Sequence, residues 1–142
     1  GPALSSSVAI IILDRSGLSR YYRDMSNANG SKWIRPEKRL AIYLRDNFSC
    51  AYCGQDLRGA TPDGVTLDHL VPRSVRVDNG ATNLVTACRS CNSARGDKPW
   101  VDYATGGARD RIESLRVRPL NIVLAKALIA GTAGDDELEA AR

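Results

Sequence analysis

Four cysteines constrain this chain more than any other feature. They fall as Cys50-Ala-Tyr-Cys53 and Cys88-Arg-Ser-Cys91, two C-x-x-C pairs separated by 34 residues, with no cysteine left over. Each pair can present two thiolates from one tight turn, and two such turns complete a tetrahedral zinc site where one turn supplies only half. A shared structural zinc is the favoured reading. Redox dithiols of the thioredoxin type normally need a βαβ context that is absent here, and two disulfides would require an exported protein. The N-terminus shows no basic region followed by a full-length apolar stretch and a small-residue cleavage site, so the expectation is a cytoplasmic protein. Zinc held this way contributes on the order of 10–16 kcal/mol, comparable with the whole stability of a domain.

Length and charge narrow the class further. The chain has 142 residues, of which 43% are apolar, enough for one domain and thin for two. Its longest unbroken apolar run, Val8 to Leu13, is six residues. A bilayer-spanning helix needs roughly 18–20, so no membrane partner is expected. The net charge of +4 is unevenly spread: Asp135, Asp136, Glu137 and Glu139 are opposed in the tail only by Arg142, and the remainder carries +7. Sixteen of the twenty basic residues are arginine. The planar guanidinium grips phosphate oxygens bidentately, which points to a polyanionic partner.

The pattern of apolar and turn residues gives a coarse order. Val8 to Leu13 reads as a short strand and Ser26 to Ser31 as a flexible linker, so residues 1–32 form an N-terminal extension. From Pro36 to about Asp46, Leu40, Ala41, Leu44 and Phe48 recur at helical spacing, with Pro36 suited to the first turn. That helix leads into the first cysteine pair. Val65 to Val71 alternates as a strand closed by Pro72, Leu84 to Ala87 makes a second strand, and the second cysteine pair opens a short helix that Gly96 ends. Residues 33–100 thus form an α+β core, strand–loop–strand–helix, clamped by zinc. Beyond it, residues 101–142 read as a loop, a helix over Pro119 to Ala130 with a stripe of Leu120, Val123, Leu124, Ala127 and Leu128, and an acidic end. The stripe packs on the core or offers a homodimer surface.

Inside the clamp sits a second constellation. Asp68 and His69 are adjacent near the end of the first strand, Asn83 opens the second, and Asn92 follows the last cysteine. Phosphodiester hydrolysis needs a hard cation, oxygen ligands to hold it, and a base that is neutral near pH 7. Asp68 brings a carboxylate, Asn92 an amide oxygen, and His69, the only histidine, the base. Each residue has a blander reading: a packed or zinc-binding histidine, a turn-capping Asp68, a loop-stabilising Asn83, a helix-capping Asn92. Neighbours on an ideal strand face opposite ways, so bringing Asp68 and His69 together requires a twist or bulge.

The segments Tyr43-Leu44-Arg45-Asp46, Cys50-Ala-Tyr-Cys53-Gly54, Leu67-Asp68-His69-Leu70-Val71-Pro72-Arg73-Ser74, Asn83-Leu84-Val85-Thr86-Ala87-Cys88 and Cys91-Asn92 occur in this order. Taken together they resemble the HNH endonuclease family, of the zinc-stapled four-cysteine kind with a ββα-metal (His-Me finger) core. The resemblance runs from about Arg39 to Lys98 and implies a zinc on Cys50, Cys53, Cys88 and Cys91. It further implies His69 as general base, Asn83 as the residue orienting the base and its loop, and Asp68 with Asn92 as holders of one Mg²⁺ or Mn²⁺. Two departures stand out: Val77-Asp78-Asn79-Gly80 where relatives often carry Gly-Gly, and Arg95-Gly96 in place of a frequent Lys-Gly.

The activity implied is metal-dependent hydrolysis of DNA, by nicking or by double-strand cleavage. Arg73, Arg89, Arg95 and Lys98 flank the constellation and are candidates for phosphate contacts. The competing reading is a zinc-stapled nucleic-acid-binding module without turnover, which would bind indifferently to Mg²⁺ and tolerate loss of His69. A thiol oxidoreductase is the third, recognised by metal-free protein with titrating dithiols.

Overall fold

A computed structural model of the chain describes residues 33–133 and Ala140. The strand expected at Val8 to Leu13, the Ser26–Ser31 linker and the acidic end lie outside the described residues. Helix α1 spans Pro36–Arg45. Pro36 occupies its first turn, where a missing N–H costs nothing, with Glu37 near its N-terminus and Arg45 in its last turn to match the helix dipole. Leu40, Ala41, Ile42 and Tyr43 are buried along it.

Phe48 does not continue the helical stripe that the spacing suggested. The helix stops at Arg45, and Asn47 and Phe48 both take left-handed backbone, with φ of 57° and 50°. The Phe48 N–H turns back to the Tyr43 carbonyl at 2.8 Å, and its ring lies 5.4 Å from that of Tyr43. Left-handed backbone at a non-glycine residue costs roughly 1–2 kcal/mol, offset here by burying a phenyl ring to 4% exposure.

An ion pair anchors this corner to the sheet. Arg45 Nε donates to Asp46 Oδ1 at 2.7 Å, while Arg45 Nη1 and Nη2 reach the carbonyls of Ala81 and Leu84 at 2.8 and 2.6 Å. Asp46 Oδ2 accepts the Thr86 N–H at 2.8 Å. Both side chains are buried, and a buried pair satisfied in this way resists the loss of either member.

Strands β1 (Val65–His69) and β2 (Leu84–Cys88) form a two-stranded antiparallel sheet. β2 is buried at every position. The register runs unbroken from Val65 opposite Cys88 to His69 opposite Leu84, so no bulge interrupts the Asp68–His69 step. β1 ends two residues before the expected Val71, because the chain leaves the ladder after His69 to enter the loop that Asn83 ties down. Helix α2 (Arg89–Arg95) follows β2 directly and ends at Gly96, whose φ of 53° a side chain would strain. Strand, loop, strand and helix therefore form the small α+β core of ββα type.

The segment 101–118, read from the sequence as loop, instead contains helical turns. α3 is Trp100–Tyr103 and α4 is Gly107–Leu115. Ala108, Ile112 and Leu115 supply α4 with an apolar face at helical spacing, and all three are buried. Arg111 of α4 donates to the carbonyls of Ala51 and Tyr52 at 2.9 and 3.0 Å, fastening α4 to the first cysteine turn. α5 is Ile122–Ala130, starting later than Pro119 because Asn121 caps it by accepting from the Leu124 N–H at 3.0 Å. α5 packs on α1. Leu124, Ala125 and Leu128 are buried there, whereas Val123, placed on the expected stripe, is 80% exposed. The apolar stripe is thus used within the chain's own core. Among the described residues, no helix is long and apolar enough to cross a membrane.

Candidate active site and zinc centre

The two cysteine turns meet. The four Sγ atoms lie within 4.8 Å of one another, and Cys53 Sγ is 3.9 Å from Cys88 Sγ. A tetrahedral zinc with Zn–S bonds near 2.3 Å requires sulfurs roughly 3.8 Å apart, so the group fits the ion. Each turn is built alike: the Cys53 N–H points to Cys50 Sγ and the Cys91 N–H to Cys88 Sγ, both at 3.4 Å. Such N–H···S contacts favour a thiolate acceptor, and four sulfurs at these separations are a donor set that suits a tetrahedral zinc. Gly54 takes φ of 80° as the first turn closes.

Beside the cysteine cluster, the end of β1 and the face of α2 border an open cavity of about 260 Å³ lined by Leu67, Asp68, His69, Pro72, Arg73, Asn92, Arg95, Gly96 and Asp97. Asp68, His69 and Asn92 thus come together as the sequence suggested, and Asn83 lies outside the lining. Asp68 is 5% exposed. The Tyr52 hydroxyl donates to its Oδ2, and Arg95 Nη1 donates to both carboxylate oxygens at 3.1 Å. Burial pushes the Asp68 carboxyl up, and Tyr52 and Arg95 pull it back. Burial and the neighbouring carboxylate raise the Tyr52 hydroxyl too, which keeps it a donor.

The Asn92 amide is oriented by its neighbours. Thr66 Oγ1 uses its only proton on the Ala87 carbonyl at 2.8 Å, so it can only accept from Asn92 Nδ2, 2.9 Å away. The amide nitrogen also reaches the Leu67 carbonyl at 3.4 Å, which leaves Asn92 Oδ1 as the atom available to a ligand. A carboxylate with a spare lone pair and an amide oxygen are donors that suit a hard divalent cation.

His69 is held from several sides. Its Nε2 lies 2.9 Å from Asn79 Oδ1, and its carbonyl accepts from Arg95 Nη1 at 2.5 Å. The Trp33 ring packs against the imidazole at 4.9 Å between centroids, tilted by 40°. Asn83, expected to orient the base and its loop, hydrogen-bonds through its side chain to the loop. Its Oδ1 accepts the Val71 N–H at 2.9 Å and its Nδ2 donates to the Val71 and Asp78 carbonyls at 3.2 and 2.9 Å.

The four basic residues proposed for phosphate contact separate into two groups. Arg73 is exposed and lies over Trp33 at 6.0 Å, Arg89 is exposed and pairs with Asp63 at 3.3 Å, and Lys98 is exposed. Arg95 is 1% exposed, and its guanidinium is occupied by Asp68 and by the carbonyls of His69, Leu70 and Lys98. It supports the carboxylate from inside the protein.

Tyr52, Asn79 and Trp33 escaped the sequence reading. Tyr52 lies within the first C-x-x-C, where its ring looked like mere spacing, and Asn79 stands in an Asp-Asn-Gly turn. Trp33, three residues before α1, offered no signal beyond being aromatic.

Residues 50–98 match the family model for HNH endonucleases. The chain is 36% identical over 67 residues to the CRISPR-associated endonuclease Cas9 of Corynebacterium diphtheriae, covering 46% of this chain and 6% of the relative. It is 37% identical over 59 residues to the CRISPR-associated endonuclease Cas9 of Listeria innocua, covering 42% of this chain and 4% of the relative. The chain therefore spans a small fraction of the length of these curated relatives. The cysteine cluster and the sheet–helix core both lie inside the stretch, residues 50–98, that matches the HNH endonuclease model.

Proposed function

We propose that this chain hydrolyses DNA phosphodiester bonds with His69 as general base and with Asp68 and Asn92 holding one divalent cation, Mg²⁺ or Mn²⁺. The observation that carries the reading is the convergence of Asp68, His69 and Asn92 on one cavity from two different elements. When bound, the cation would neutralise charge on the phosphate and on the departing oxygen. His69 takes the proton of the attacking water. Arg95 and Tyr52 keep the Asp68 carboxylate aimed while it is buried, and Asn83 holds the Val71–Asp78 loop against the end of the sheet. Arg73, Arg89 and Lys98 would meet neighbouring phosphates.

Supercoiled plasmid incubated with zinc-loaded protein and Mg²⁺ or Mn²⁺ tests the reading on an agarose gel. Wild type should convert the plasmid to open-circle or linear form, and His69→Ala should do so about 10²- to 10⁴-fold more slowly with zinc retained. Equal rates would overturn the assignment. Replacing Arg73, Arg89 or Lys98 should each lower the slope of log binding constant against log salt by about one.

A further inference from the structure

We infer that Asn79 is the positioning residue for His69, holding its ring as the Nε2–H tautomer so that Nδ1 is the atom that accepts a proton. The inference rests on the proposed role of His69 as general base. Asn79 Oδ1 stands 2.9 Å from His69 Nε2. An amide oxygen only accepts hydrogen bonds, so Nε2 supplies the hydrogen, and a neutral imidazole with one N–H keeps its lone pair on the other nitrogen. On proton transfer from water, Nδ1 gains the proton while the Nε2–H bond to Asn79 persists. The water oxygen keeps the electron pair with which it attacks phosphorus.

Asn79 is itself fixed. Its carbonyl accepts from Lys38 Nζ at 2.6 Å, which ties it to α1. The preceding carbonyl, that of Asp78, accepts from Asn83 Nδ2 at 2.9 Å, and Asp78 Oδ1 accepts the following Gly80 N–H at 3.0 Å. Trp33 closes another side of the ring, and Arg95 pins the His69 main chain. The imidazole is thus constrained at its Nε2 edge, at a ring contact and at its backbone, a degree of support that suits a reacting group.

Because His69 is the only histidine in the chain, one ¹⁵N-histidine signal set reports its ring directly. Long-range ¹H–¹⁵N correlation on the zinc-loaded 142-residue chain in the neutral-imidazole form should show the Nε2–H tautomer alone. Asn79→Ala should give a mixture of tautomers and a kcat about 10-fold lower at unchanged KM, whereas Asn79→Asp, which keeps an acceptor, should retain the Nε2–H form. Zinc content and the amide spectrum show that each variant is folded. A wild-type ring found as Nδ1–H, or an Asn79→Ala spectrum identical to wild type, overturns the inference. Failure of the general-base reading has a different signature, His69→Ala cleaving plasmid at the wild-type rate.

Discussion

Arg95→Met is the most informative stability test, because the sequence and the structure assign Arg95 different duties. As an exposed phosphate contact it would cost at most about 0.5 kcal/mol of stability when lost and would reduce the salt dependence of DNA binding. In the structure its Nε donates to the Lys98 carbonyl at 2.7 Å, Nη1 to both Asp68 oxygens at 3.1 Å and to the His69 carbonyl at 2.5 Å, and Nη2 to the Leu70 carbonyl at 2.6 Å. The pair is 1% and 6% exposed at its side chains, so water screens it little. Removing one member of a buried pair costs about 3–5 kcal/mol, and the three carbonyls that lose a donor favour the upper part of that range. We expect a loss of about 4 kcal/mol. For a domain near 100 residues this lowers Tm by roughly 16–32 °C. Thermal and urea unfolding of zinc-loaded protein, followed by circular dichroism, measures it. The double variant Arg95→Met/Asp68→Leu should recover part of the loss, since no buried charge is then left unpaired. A loss below about 1 kcal/mol in the single variant would refute the buried-pair reasoning.

Three further outcomes follow from the same contacts. Cys53→Ser should lose zinc and, with it, circular dichroism signal and soluble protein, because metal binding here is folding free energy; full zinc content in that variant would break the shared-site assignment. Tyr52→Phe keeps the ring and its 5.1 Å edge contact with Tyr103 but removes the donor to Asp68, so it should cost about 1–2 kcal/mol in urea unfolding and weaken Mn²⁺ binding in calorimetry while leaving zinc content unchanged. Asp78 is held below its ordinary pKa by the Gly80 N–H and by Arg76. A depressed carboxyl contributes order that is present above the unfolded value of about 3.9 and is lost as pH falls through the native one, so Gly80 amide protection relative to its intrinsic exchange rate should fall in that acid window. The same acid dependence in Asp78→Asn would exclude the carboxylate as its source.

Local chemistry was legible wherever a residue's role depends on its near neighbours. Pro36 starts α1, Gly96 ends α2, and C-x-x-C makes a turn with two sulfurs on one side. Asp68 and His69 announce themselves by adjacency. Phe48 misled because its helical spacing was intact while Asn47 and Phe48 reversed the backbone. α4 was missed because Gly106 and Gly107 announce a break, although Ala108, Ile112 and Leu115 carry the stripe.

By itself the sequence determined the paired cysteine turns, the strand–loop–strand–helix order and the residues that could do chemistry, since these follow from spacing along the chain. Only the tertiary structure decided what those residues do for one another. Arg95 became the internal partner of Asp68, Tyr52 linked the cysteine turn to the same carboxylate, and Asn79 rather than Asn83 met the His69 ring. Each depends on which groups come within about 3 Å after folding, and hydrogen bonds between residues 10 to 27 positions apart leave no periodic trace in the sequence.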